Sequence, residues 1–234
     1  MKKLLSGALA LVLCAALSGC GSTSGDEKSL VIGASITPHA EIIKNIQPDL
    51  EEMGYTVEIV EFSDYNKPNE ALNDGQLDAN YFQHNQYLAE WNEKSGTDLV
   101  SAGDIHFEPM GIYSQNHDSL DELEEGAKLT ISIPNDPTNG GRALQLLAAN
   151  GLIKLEGDKG ISATPKDIVD GPYEVEIVEM AAESIPVNLG DSDGEVANRL
   201  GGTRFFVTQS YDIFNSSIKN PKGFRVSLLN EIKY

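Results

Sequence analysis

LTISIPNDPTNGGRALQLLAANG, Leu129 to Gly151, reads as a buried strand, a tight polar turn and an amphipathic helix in immediate succession. Leu129, Ile131 and Ile133 alternate with polar residues, and Pro134-Asn135-Asp136-Pro137 stops the strand. Ala143, Leu144, Leu147 and Ala148 then recur at helical spacing, with Thr138 as the expected N-cap and Gly151 as the stop. The first turn of that helix carries Asn139, Gly140, Gly141 and Arg142. Unpaired backbone N–H groups, the positive end of the helix dipole and a guanidinium fork therefore converge where two glycines leave room, which suits a small carboxylate or phosphate. The same residues also suit an ordinary strand-to-helix connection with a solvated arginine. A phosphate site is the weaker alternative, since the chain has neither GxGxxG nor GxxxxGK[ST].

Outward from this stretch, strands and helices alternate. Ser29 to Ser35 is a short apolar strand, Thr37-Pro38-His39-Ala40 opens a helix carrying Ile42, Ile43 and Ile46, and Val57 to Phe62 alternates as a second strand. Asp64 to Asn69 is a loop into a short helix closed by Asn73-Asp74-Gly75, and Leu77 to Phe82 is a third strand. Gln83 to Ser95 is helical, Val100 to Ser114 is extended and crosses between lobes, and Val175 to Met180 is the next strand of a second unit. Helix-length segments between apolar strands argue for parallel α/β architecture. Two such units joined by a crossover imply a cleft between lobes, where ligands preferentially bind. Tyr65, Tyr81, Phe82, Tyr87 and Trp91 cluster near the expected strand ends, where with His84 they suit an apolar ligand side chain, or simply pack a core.

The amino terminus has its own signature. Lys2 and Lys3 precede the apolar run Leu4 to Leu17, the layout of a secretory signal peptide. Leu17-Ser18-Gly19-Cys20 resembles the bacterial lipobox, which implies that Cys20 becomes the lipidated first residue. Ser22 to Lys28 reads as a flexible tether. Removing residues 1–19 takes Cys14 away and commits Cys20 to lipid, so no thiol remains for disulfides, catalysis or metal. The formal charge of −19 argues against nucleic acid or an anionic membrane surface as partner. The histidines at 39, 84, 106 and 117 show no close metal-ligand spacing, and no zinc site or cofactor is expected. Ser101, Ser114 and Ser132 lie in no GxSxG elbow, so a hydrolase has little support.

Asp64-Tyr65-Asn66-Lys67-Pro68-Asn69, Leu77 to His84, and Ile133 to Leu144 resemble, in order, the successive signatures of the NlpA-type methionine-binding lipoproteins, the substrate-capturing components of ABC importers. The resemblance runs from the lipobox to about Asp193. It implies an α/β, two-lobed periplasmic-binding-protein fold of type II-like form with a ligand cleft between lobes. It implies a monomeric, lipid-anchored receptor on the extracytoplasmic face of the membrane, delivering L-methionine or a close analogue to an ABC permease and ATPase, and no enzyme. Carried over residue by residue, it implies that Arg142 and Asn139 hold the ligand's carboxylate and neighbouring polar atoms, while Tyr65, Phe82 and His84 line its side-chain pocket.

The expected organisation is a signal peptide over 1–19, lipidated Cys and tether over 20–28, first lobe over 29–110, second lobe over 111–198, and a divergent tail over 199–234. After Asp193 the family's Asn-Tyr-Ala-like signature is absent, and Asn198 is its nearest counterpart. From Arg199 on, six basic residues face only Asp212 and Glu231, a reversal of sign against the rest of the chain. This predicts an incomplete return to the first lobe. The alternative function it raises is a degenerate lipoprotein that no longer binds ligand because its C-terminal part is disrupted.

Overall fold

A computed structural model describes residues 28–114, 117, 119–190 and 203–209. The signal peptide, Cys20, the tether before Lys28, Asn198 and the rest of the tail lie outside the described residues.

The first sheet contains β1 (Lys28–Ser35), β2 (Tyr55–Phe62) and β3 (Ala79–Tyr81) in the order β2-β1-β3, all parallel. β1 and β2 run in register from Lys28 opposite Tyr55 to Ser35 opposite Phe62. The connection between them is α1 (Glu41–Glu52), which buries Ile43 against Ala34, Ala40 and Val57. The helix expected from Thr37 opens there with a kink, as a π-helical turn over Ile36–Ala40 that runs directly into Glu41. Thr37 is extended at φ −135°, ψ 133°, as the steric demand of the following Pro38 favours, and His39 lies buried in the entry turn. β2 leads through α2 (Lys67–Asn73) to β3, shorter than the expected strand over 77–82, and then to α3 (Asn85–Ser95).

Residues 97–109 have no regular structure and lead from the first sheet to the second. The strand expected within this stretch is confined to β4 (Met110–Tyr113), all four residues of which are buried.

The second sheet has the order β4, β9 (Thr203–Gln209), β5 (Lys128–Pro134), β8 (Glu174–Met180). β5 (Lys128–Pro134) and β8 (Glu174–Met180) pair in parallel, with Leu129 opposite Val175 and Ile133 opposite Glu179. β5 is buried on both faces: Thr130 and Ser132 are enclosed as well as Leu129, Ile131 and Ile133, which is expected of an inner parallel strand. α4 (Pro137–Ala149) returns over this sheet, and its Ala143, Leu144 and Leu147 are 0% exposed. Each such leucine contributes roughly 1.5–3 kcal/mol by burial. Gly151, at φ +73°, ends the helix in a backbone conformation that glycine tolerates best. A small antiparallel pair, β6 (Lys154–Leu155) with β7 (Ile168–Val169), and the short α5 (Ile185–Gly190) complete this unit.

The tail departs most from expectation. β9 (Thr203–Gln209) lies between β4 and β5, antiparallel to the first and parallel to the second. Phe205 and Val207, 1% and 0% exposed, enter the same core as Ile112, Ile131 and Leu144. This part of the segment read as a divergent tail supplies an inner strand of the second sheet, whose alternating apolar side chains override its change of net charge.

Candidate functional site

The turn between β5 and α4 holds a connected group of polar side chains. Asp136, rather than Thr138, is the N-cap: its Oδ1 accepts from the Asn139 backbone N–H at 2.9 Å and from Thr138 Oγ1 at 3.0 Å. Two residues separate the expected from the observed cap because Pro137, preset for the first helical turn, occupies N1. Asp136 Oδ2 accepts from Asn139 Nδ2 at 3.1 Å, which fixes the orientation of that amide. Asn139 Oδ1 is thereby turned outward, and it accepts from Arg142 Nη1 at 2.9 Å. Arg142 Nη2 donates to the backbone carbonyl of Glu108 at 3.1 Å, so the guanidinium also holds the crossover.

His84 approaches from the other lobe. Its Nδ1 accepts from the Tyr87 backbone N–H at 3.1 Å, capping α3. The proton must then sit on Nε2, which donates to Asn139 Oδ1 at 3.1 Å. Burial and the Arg142 cation, with smaller opposing effects from Asn139 and Asp136, hold the His84 imidazole below its ordinary pKa. A neutral imidazole is the form this bond arrangement requires.

Aromatic rings stand beside this bridge. Tyr65 lies 6.1 Å from Phe82 and 6.4 Å from Tyr87, and Phe82 and Tyr87 are edge-to-face at 5.9 Å. Tyr87 donates its hydroxyl to the Tyr65 carbonyl at 3.0 Å, and burial pushes its own pKa beyond the usual tyrosine range. Below the rings, Asn69 is 0% exposed and joins Gln83 and Asn80: Asn69 Oδ1 accepts from Gln83 Nε2 at 2.7 Å and from Asn80 Nδ2 at 2.9 Å. This amide network anchors the chain on either side of Phe82.

All five residues implied by the family resemblance, Tyr65, Phe82, His84, Asn139 and Arg142, thus fall in one region, linked by hydrogen bonds or ring contacts. The glycines play another part than expected. A Cβ on Gly141 would stand 1.8 Å from the Ile161 carbonyl oxygen, so this glycine admits the neighbouring backbone and not a ligand. Asp136 and Glu108 escaped the reading of the sequence. The Pro-flanked Asp before a helix was a visible cap signal for the first; Glu108 is brought in only by the fold.

Two α/β units joined by a crossover, with an arginine, an amide and an imidazole bridging between them beside aromatic rings, define the class of two-lobed substrate-binding proteins. Within that class the chain belongs to the NlpA lipoprotein family, whose model matches residues 30–222. The match therefore continues through β9, well past Asp193, and corrects the expectation that the likeness ends there. The methionine-binding lipoprotein MetQ of Bacillus subtilis is 40% identical over 227 residues, covering 95% of this chain and 78% of the relative. The D-methionine-binding lipoprotein MetQ of Escherichia coli K12 is 40% identical over 186 residues, covering 78% and 67%. An ABC transporter periplasmic substrate-binding protein from Coxiella burnetii has a solved structure with TM-score 0.65 at 37% identity, covering 78% of this chain and 72% of that one.

Proposed function

We propose that this protein is a lipid-anchored receptor, not an enzyme, that captures L-methionine or a close analogue and passes it to an ABC importer. The observation that carries the reading is the Arg142–Asn139–His84 bridge between the two units, set beside Tyr65 and Phe82. Arg142 spends Nη1 and Nη2 on two neutral carbonyl oxygens. A ligand carboxylate is a stronger acceptor for the same fork, because both partners are charged. The polarizable thioether of methionine packs favourably against the Tyr65 and Phe82 rings.

Capture draws the two lobes together by hinge motion in the crossover. Met110 to Tyr113 are paired with β9, so the bend belongs to the residues up to Pro109. Cys20 provides the anchor, and the closed monomer docks on the permease. Names of relatives support the ligand and the importer. The competing idea, a lipoprotein that has lost its site, requires a disorganised last third; the ordered β9 and a family match reaching residue 222 favour the receptor.

Calorimetric titration of the detergent-solubilised lipoprotein with L-methionine tests the reading. Saturable binding is expected, with Arg142→Ala weakening it by about 2–5 kcal/mol through loss of a charge-assisted pair. Equal affinity in the variant would remove Arg142 from the site, and no binding by the unaltered protein would sink the receptor.

A further inference from the structure

Outside the bridge, one cluster of side chains has no part in the proposed capture of ligand. His39 comes from the turn after β1, and His106 and Glu108 from the crossover. Their ligating atoms all lie within 4.8 Å of one another. His106 Nε2 is 2.9 Å and His39 Nε2 3.5 Å from the same carboxylate oxygen, Glu108 Oε1. Both imidazoles are held from behind: Ser35 Oγ is 2.5 Å from His39 Nδ1, and the Tyr81 hydroxyl is 2.5 Å from His106 Nδ1.

Metal-ligating imidazoles carry hydrogen-bonding partners of this kind behind the ring. With Nδ1–H donated to a hydroxyl oxygen, each Nε2 lone pair is turned to the common centre and its ring is fixed. Two ligands of one tetrahedral zinc, each about 2.0–2.1 Å from the ion, stand about 3.3 Å apart, close to the His39–Glu108 separation. Two imidazoles and one carboxylate suit zinc and similar borderline ions, not calcium or magnesium, which take oxygen donors. The His39 and Glu108 side chains are 6% and 12% exposed, whereas His106 is 27% exposed and leaves a route for the ion. Sequence spacing hid the site, because 67 residues separate the two histidines.

We propose that His39, His106 and Glu108 form a binding site for one divalent ion of the zinc class, which pins the crossover to the first sheet. Glu108 also gives its backbone carbonyl to Arg142, so the pinned segment abuts the cleft.

The test is titration of the untagged full-length protein, stripped with chelator, with Zn2+ alone, and with Co2+ followed by absorption. One ion per chain is expected, with visible Co2+ bands of a four-coordinate site and a Zn2+-dependent rise in melting temperature. His106→Gln and Glu108→Gln, which keep close to the size and shape of the original side chains, should abolish this binding or weaken it at least about tenfold, and Ser35→Ala should weaken it about 10–100-fold. Absence of saturable binding by the unaltered protein overturns the site. So does one-ion binding that persists at unchanged affinity in both variants, which would place the ion elsewhere.

Discussion

His84 and Asn139, 55 residues apart and on opposite sides of the crossover, meet through an Nε2–H···Oδ1 hydrogen bond of 3.1 Å. The direction of that bond is set from both ends. Tyr87 occupies His84 Nδ1, and Asp136 occupies Asn139 Nδ2, which leaves one donor facing one acceptor. Because Arg142 shares the same acceptor, the three side chains respond as a unit.

Asn139→Ala removes the shared acceptor and strands a half-buried guanidinium donor and an imidazole N–H. A loss of about 1–3 kcal/mol in unfolding free energy is expected. In a double-mutant cycle with His84→Gln, the two losses should fall short of additivity by about 0.5–3 kcal/mol, measured by urea denaturation. Simple additivity would mean that the bond contributes nothing.

Stability should fall on acidification. The folded-state pKa of His84 is lowered by burial and by Arg142, and that of His39 by burial and by His106, in the latter case from 6.5 to about 3. The unfolded chain therefore binds protons that the folded chain refuses. The stability is fully present above the ordinary histidine pKa of 6.5 and is lost as pH falls toward the folded values, by at most about 1.4 kcal/mol per pH unit for each histidine. Urea melts from about pH 8 to about pH 5 should show this slope, and His84→Gln should flatten it. A slope unchanged by the substitution would refute the assignment.

Gly141→Ala tests whether the glycines of the turn serve ligand or packing. The added methyl collides with the Ile161 carbonyl, so a destabilisation of about 1–3 kcal/mol is expected even without ligand. A variant of unchanged melting temperature and weakened methionine binding would restore the ligand role.

Phe205→Ala should cost about 3–5 kcal/mol, since the ring is 1% exposed in the core of the second sheet. Thermal unfolding measures it. A change below about 1 kcal/mol, the range of surface positions, would mean that β9 adds little to the fold.

The strand, turn and helix of residues 129–151 were legible because each is written in local code: alternation, a Pro-bounded turn, helical periodicity. The cap was misread by two residues since Asp136 and Thr138 are both good capping types, and Pro137 at N1 decides between them. β9 was illegible for a different reason. Its place between β4 and β5 depends on partners 70 to 100 residues away, and a reversal of charge in its neighbourhood drew the eye from the short alternation of Phe205 and Val207. Tyr65, Phe82, His84, Asn139 and Arg142 were singled out through ordered motifs, and the fold brings them into one region. Glu108 and the pairing of His39 with His106 belong to no motif at all, because only tertiary structure brings the crossover back against the end of β1.

The threading of β9 between two earlier strands also sets the timing of assembly. Among the described residues β4 and β5 have no direct ladder and wait for β9, the latest of the described strands in chain order, so the second sheet stays open until residue 209 has been made. Pairings of such long sequence separation form slowly, since loop closure must precede any reward. Completion of the second sheet therefore waits on the seating of β9, whatever order the first sheet follows.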